Sequence, residues 1–124
     1  MSVAKIRIRD LAKDFPPRQG KGEKLRVIKN LNLAIEPHEF VCILGRSGCG
    51  KSTLLNAIAG LDQDYTGVIE IDGVPVTGGR PPVRIAYLFQ EPRLLPWLTA
   101  EQNVDFVLRS CKVPHSRWQQ RKDH

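Results

Sequence analysis

Residues 45–53 read Gly-Arg-Ser-Gly-Cys-Gly-Lys-Ser-Thr, between an apolar run Phe40–Leu44 (FVCIL) and a second apolar stretch Leu54–Leu61 (LLNAIAGL). The spacing fits G-x-x-x-x-G-K-[ST], with its glycines at Gly45 and Gly50. Glycines let a backbone fold tightly, so that successive N–H groups converge on an anion. A helix starting near Lys51 adds unpaired amides and the positive end of its dipole. Lys51 carries the charge for the β- and γ-phosphates of a nucleoside triphosphate, and the Ser52 hydroxyl suits Mg²⁺. The candidate phosphate contacts are therefore Gly45, Arg46, Ser47, Gly48, Cys49, Gly50, Lys51, Ser52 and Thr53.

The flanks supply the context this loop needs. FVCIL is continuous and apolar, as expected of a strand buried on both faces of a parallel sheet. Leu54, Leu55, Ile58 and Leu61 follow helical spacing, with Gly60 as a stop signal. Working outward, Lys5–Arg9 (KIRIR) and Leu31–Ile35 (LNLAI) alternate like strands with one wet face. The Pro/Gly-rich segment 16–24 reads as an exposed connection. The segments GVIEIDG and VPV meet at Asp72-Gly73, a favoured hairpin dipeptide. Arg84–Phe89 (RIAYLF) is a second candidate buried strand. Thr99 is placed to cap a helix through Arg109, with Gln102 at the capping-box position.

Composition sets the outer limits. The 124 residues are 41% hydrophobic and 26% charged, ordinary values for one modest globular domain. No run reaches the ~18 apolar residues of a membrane span, and Met1–Phe15 lacks an apolar signal core, so the cytoplasm is expected. The net charge of +6 is scattered, with Lys21 and Lys24 in the Pro/Gly-rich segment and Arg117, Arg121 and Lys122 at the end. No basic stripe interleaved with aromatics occurs, and nucleic acid is not an expected partner. Cys42, Cys49 and Cys111 are odd in number and read as reduced thiols.

The stretch ILGRSGCGKSTLLNAIAGLDQDYTGVIEIDG, followed by IAYLFQEPRLLPWLTAEQNV, resembles the ATP-binding subunit of an ABC transporter. The resemblance runs from about Lys5 to Val113. The EPRLLPW wording is similar to importers of the nitrate, sulfonate and taurine group. It implies an α/β P-loop NTPase fold, here the N-terminal part of an ABC ATPase domain: an antiparallel β subdomain plus an incomplete parallel core sheet. Residues 1–113 would form the partial nucleotide-binding domain and 114–124 a polar tail. ATP and Mg²⁺ are the implied cofactors.

The same resemblance gives Lys51 and Gln90 the catalytic positions, with Gln90 contacting Mg²⁺ and the attacking water. Phe15 matches the aromatic that stacks on adenine. The region from Gln90 to Trp97 would face the transmembrane permease subunits. A second ATP-binding subunit would complete the site, at the inner face of the cell membrane. Trp97 fits that surface and core packing equally well. Cys49 suits either a nucleotide-shielded thiol or a small residue without duty. His38 stands where the family usually has glycine.

Three of the family's segments have no match here: an LSGGQ-type signature, four apolar residues ending in Asp-Glu, and a later histidine. His115 lies too early. Glu70 interrupts the only acidic apolar strand. The expectation is an N-terminal portion that binds Mg-ATP and does not turn it over. A non-catalytic nucleotide-binding or interaction module is the alternative reading. A GTPase is disfavoured because no Asn-Lys-x-Asp guanine reader occurs.

Overall fold

The computed structural model describes residues 3–17, 20 and 22–123. Arg18, Gln19 and Lys21 of the expected 16–24 connection lie outside them. The chain divides into two compact units, Met1–Tyr87 and Leu88–His124.

The first unit is built on an antiparallel sheet in the order β2-β1-β3-β4. Its strands are β1 (Ile6–Phe15), β2 (Leu25–Ile35), β3 (Thr66–Ile71) and β4 (Val74–Pro75). β1 and β2 are longer than the alternating runs suggested. The excess follows register breaks: β1 slips against β2 between Ile8 and Leu11 and against β3 between Arg9 and Ala12. Asp10 and Asn30 there adopt φ of 50° and 40°. Asn32 stabilises the bulge, its Oδ1 accepting from Asp10 N at 3.0 Å and its Nδ2 donating to Asn30 O at 3.1 Å. A bulge flips side-chain parity, so the inward set passes from Ile8 to Leu11 and the strand continues. Gly67 faces this bulge at φ +98°; a Cβ there would stand 2.5 Å from Asp10 O.

Helix α1 (Lys51–Ile58) buries Leu54, Ala57 and Ile58. They join Ile8, Leu11, Ile28, Ile69 and Ile71 in one core. Leu55 and Leu61, expected on the same face, are exposed. The helix ends in a Schellman motif: Leu61 N donates to Asn56 O at 2.9 Å and Gly60 N to Ala57 O at 3.1 Å. Gly60 supplies the φ of +75° that the motif needs. The Asp72-Gly73 turn has φ of 52° and 76°, as a type I′ hairpin requires. His38 sits at φ 64°, where glycine is favoured.

The two runs expected as parallel core strands behave differently. Neither 40–44 nor 84–89 forms a strand. A strand exists only as part of a ladder, and among the described residues neither run pairs with another. Phe40 and Leu44 are consequently 90% and 91% exposed. The 81–88 stretch still alternates half-buried and exposed positions, with Ile85 against the core. Tyr87 Oη donates to Asn56 Oδ1 of α1 at 2.8 Å.

In the second unit, α2 (Ala100–Ser110) begins at the expected capping box. Thr99 Oγ1 accepts from Gln102 N at 3.2 Å, and Gln102 Oε1 accepts from Thr99 N at 2.8 Å. A 3-10 turn (His115–Arg117) leads into α3 (Trp118–Lys122). Lys122 ties α3 to α2 through Glu101 and Asp105, each at 2.7 Å. No helix among the described residues is long and apolar enough to cross a membrane.

Candidate functional site

The loop 45–50 turns tightly because its glycines meet three separate demands. Gly48 and Gly50 hold φ of +78° and +100°, which L side chains rarely adopt. At Gly45, a Cβ would come within 2.5 Å of Cys49 Sγ. Gly50 also lies against β2, where a Cβ would meet Val27 Cγ1 at 2.8 Å. A backbone turn from Cys49 N to Arg46 O at 3.2 Å closes the loop.

Gly50 is the N-cap of α1, in left-handed conformation and without a side-chain cap. No acidic residue occupies the first turn. The amides at this end face the loop with no carboxylate competing for them, which suits an incoming anion. Lys51 folds back over the loop: its Nζ donates to the carbonyl of Gly45, to Arg46 O at 2.8 Å, and approaches Cys49 Sγ at 3.6 Å. Carbonyl dipoles are weaker acceptors for an ammonium than ionised oxygens. A phosphate would draw Lys51 from those carbonyls without breaking an ion pair. Ser52 is exposed in the first turn and Thr53 is half-buried behind it. Glycine backbone, uncapped helix end and mobile cation fit a nucleoside triphosphate with its Mg²⁺.

Phe15 ends β1 beside this loop. It pairs with Leu25 across the ladder, so both side chains leave the sheet on one face. Val27, two residues on, is the residue skipped at the register shift between Lys13 and Asp14, and it lies against Gly50. Two strand residues span about 7 Å, so Phe15 pairs with β2 close to the residue that lies against Gly50. Phe15 is 38% exposed. Gln90 and Trp97 fall in the second unit; Gln90 is exposed, and Trp97, at 75% exposure, is no core residue.

Two residues escaped the sequence reading. Lys13 is 5% exposed; its Nζ pairs with Asp62 at 3.0 Å and donates to Asp64 O at 2.5 Å. Burial pulls its pKa down, but the hydrogen bonds and charges of Asp62 and Asp64 prevail and raise it. The available signal was parity, since Leu11, Lys13 and Phe15 alternate in step. Asn103 is the other. Its Oδ1 accepts from Leu95 N at 2.8 Å and its Nδ2 donates to Thr99 O at 2.9 Å, fixing the turn that presents Trp97. An asparagine amid helix formers was the only hint.

Comparison with known proteins agrees with this geometry. The ABC transporter family matches residues 28–124. The aliphatic sulfonates import ATP-binding protein SsuB of Bacillus subtilis (strain 168) is 50% identical over 95 residues, 75% of this chain and 36% of that protein. SsuB 1 of Xanthomonas axonopodis pv. citri (strain 306) is 42% identical over 107 residues, 86% of this chain and 39% of that protein. The chain thus spans well under half the length of these relatives. Among solved structures, the dimeric bacterial ABC transporter cassette MJ0796 superposes with a TM-score of 0.78 at 31% identity, over 94% of this chain and 53% of its own. A post-hydrolysis state of that cassette, bound to ADP and Pi, also gives 0.78, at 30% identity. With the phosphate-loop cradle, the antiparallel sheet and these matches together, the chain belongs to the ABC transporter family of ATP-binding cassettes.

Proposed function

We propose that the chain is the phosphate-binding portion of an importer's ATP-binding subunit and holds Mg-ATP at Gly45–Thr53. Residues 1–113 carry this role, and 114–124 form a polar tail. The observation that supports it best is the state of Lys51, a cation resting on its own loop's carbonyls beside an uncapped helix N-terminus. Loop amides of Arg46, Ser47, Gly48, Cys49 and Gly50 wrap the phosphates. Lys51 neutralises them, Ser52 turns its oxygen toward Mg²⁺, and Phe15 takes the base; the family resemblance assigns Gln90 to the metal and the attacking water. Bound Mg-ATP supplies the transferable phosphoryl group and the metal charge that offsets its oxygens.

The region Gln90–Trp97 meets the transmembrane permease subunits at the inner face of the membrane. Sulfonates are the transported class suggested by the SsuB relatives.

Calorimetric titration of Mg-ATP into wild type and Lys51→Ala tests the binding step. Losing a charge-assisted phosphate contact costs about 1.5–3 kcal/mol, roughly 10- to 100-fold in Kd. Equal affinity in the two folded proteins would remove the assignment.

A further inference from the structure

We propose that Lys13 is a positioning residue for the nucleotide base: held by Asp62 and Asp64, its ammonium covers one face of the Phe15 ring and leaves the other face for an electron-rich purine. The proposal rests on the Mg-ATP reading above and extends it to a residue outside the phosphate loop.

Three observations converge on Lys13. Its Nζ lies over the Phe15 ring, 5.1 Å from the centroid. The side chain is almost wholly buried, in a sheet whose other inward positions are aliphatic. A lysine in such a place is normally replaced by an apolar residue unless the charge has work there. Its partners come from the segment joining α1 to β3: Asp62 Oδ1 at 3.1 Å, Asp64 O at 2.5 Å and Asp64 Oδ2 at 3.3 Å. Asp62 is itself fixed, since its Oδ1 also accepts from Asp64 N at 2.9 Å. The ammonium is therefore anchored independently of the ring, and the ring is oriented by it.

The consequence is electronic as well as geometric. A phenyl ring carries negative charge on both faces, which repels the π-cloud of an adenine stacked on it. A cation held on one face draws that density toward itself and lowers the repulsion on the opposite face. Phenylalanine lacks a hydroxyl to anchor it, so the cation also supplies orientation.

The test separates base from phosphate. Mg-ATP and Mg-tripolyphosphate, which has no base, are titrated into wild type, Lys13→Met, Phe15→Leu and the double variant. Lys13→Met is expected to weaken ATP about 3- to 10-fold and to leave tripolyphosphate within about twofold. Phe15→Leu should do the same, and the double variant should lose no more than either single one. Equal weakening of both ligands, no weakening, or additive losses would overturn the proposal. If Lys13→Met does not fold, Lys13→Met/Asp62→Asn removes the lysine with its less exposed partner and leaves only the solvated Asp64 carboxylate; the same outcomes apply. Wild type that binds neither ligand refutes the Mg-ATP reading itself, whereas tripolyphosphate binding without a Lys13 effect refutes only this inference.

Discussion

Two glycines with similar backbone angles should respond very differently to alanine. Gly48 has φ +78°, and a Cβ there would enter open space, with nothing within 4 Å. Gly48→Ala then meets the left-handed cost of about 1–2 kcal/mol, less about 0.5 kcal/mol gained from a stiffer unfolded chain. Roughly 1 kcal/mol of destabilisation remains. Gly67 has φ +98°, and its Cβ would meet Asp10 O at 2.5 Å, Arg9 O at 2.7 Å and Asp10 C at 2.7 Å. These are backbone atoms of the central strand, already committed to the bulge with Asn32. They move only by breaking the β1–β3 ladder near Arg9↔Val68. One lost ladder bond with its orphaned partner adds about 1–3 kcal/mol. Gly67→Ala should therefore cost about 3 kcal/mol, a large part of a small domain's stability. Urea unfolding followed by far-UV circular dichroism gives both values. Equal midpoints for the two variants would show that the bulge yields freely and that the close β1–β3 approach at Gly67 is wrong.

The remaining predictions address the ion pair and the second unit. Asp62 is pushed up by burial but held below the usual carboxylate range by Lys13 and Asp64 N, so its contribution is present above about pH 4 and lost as pH falls through its folded value. Lys13 is raised, so its share is present below about pH 10.4 and lost as pH climbs through its folded value. Asp62→Asn should destabilise by about 1 kcal/mol at pH 7, a charged hydrogen bond becoming a neutral one, and the deficit should vanish near pH 2 in melting experiments; a deficit unchanged by acid would refute the pairing. Lys112 closes α2 at φ 54° in a Schellman motif, with Val113 N donating to Leu108 O at 3.0 Å. Lys112→Gly should stabilise the second unit by about 1 kcal/mol, and Thr99→Ala should destabilise it by about 1 kcal/mol. Both tryptophans, Trp97 and Trp118, lie in that unit, so intrinsic fluorescence reports both changes.

What could be read from the sequence divides along a physical line. Features encoded by neighbours in the chain were legible: the phosphate loop, the Gly60 stop, the Asp72-Gly73 turn and the Thr99–Gln102 box each need only a few adjacent residues. Features that depend on a distant partner were not. The outer halves of β1 and β2 were missed because bulges at Asp10 and Asn30 break the two-residue period. FVCIL and RIAYLF have strand composition, yet composition cannot supply a ladder. Lys13 drew no reading because Asp62 and Asp64 are some fifty positions away. The family resemblance located Phe15 and Gln90 from surrounding wording, and neither residue type would have been singled out alone.

The segment before the loop is not a strand here, so the loop's contacts are made elsewhere. Residues 40–44 are exposed and unpaired among the described residues, so they do not brace it. What remains is the side of the loop facing the antiparallel sheet. Val27 packs against Gly50, Ile28 joins Leu54, Ala57 and Ile58 in the core, and Gly60 terminates α1 over that core. The same β1–β2 pair carries Phe15 opposite Leu25, with the Lys13 ammonium over its ring. Phe15 and the residue against Gly50 thus lie near the same end of one strand pair. A change that slips its register, such as disruption of Asn32 at the bulge, would shift the ring relative to Gly50 without touching either. If the proposed Mg-ATP site is right, its affinity should respond more to the sheet's register than to the apolar run that leads into the loop.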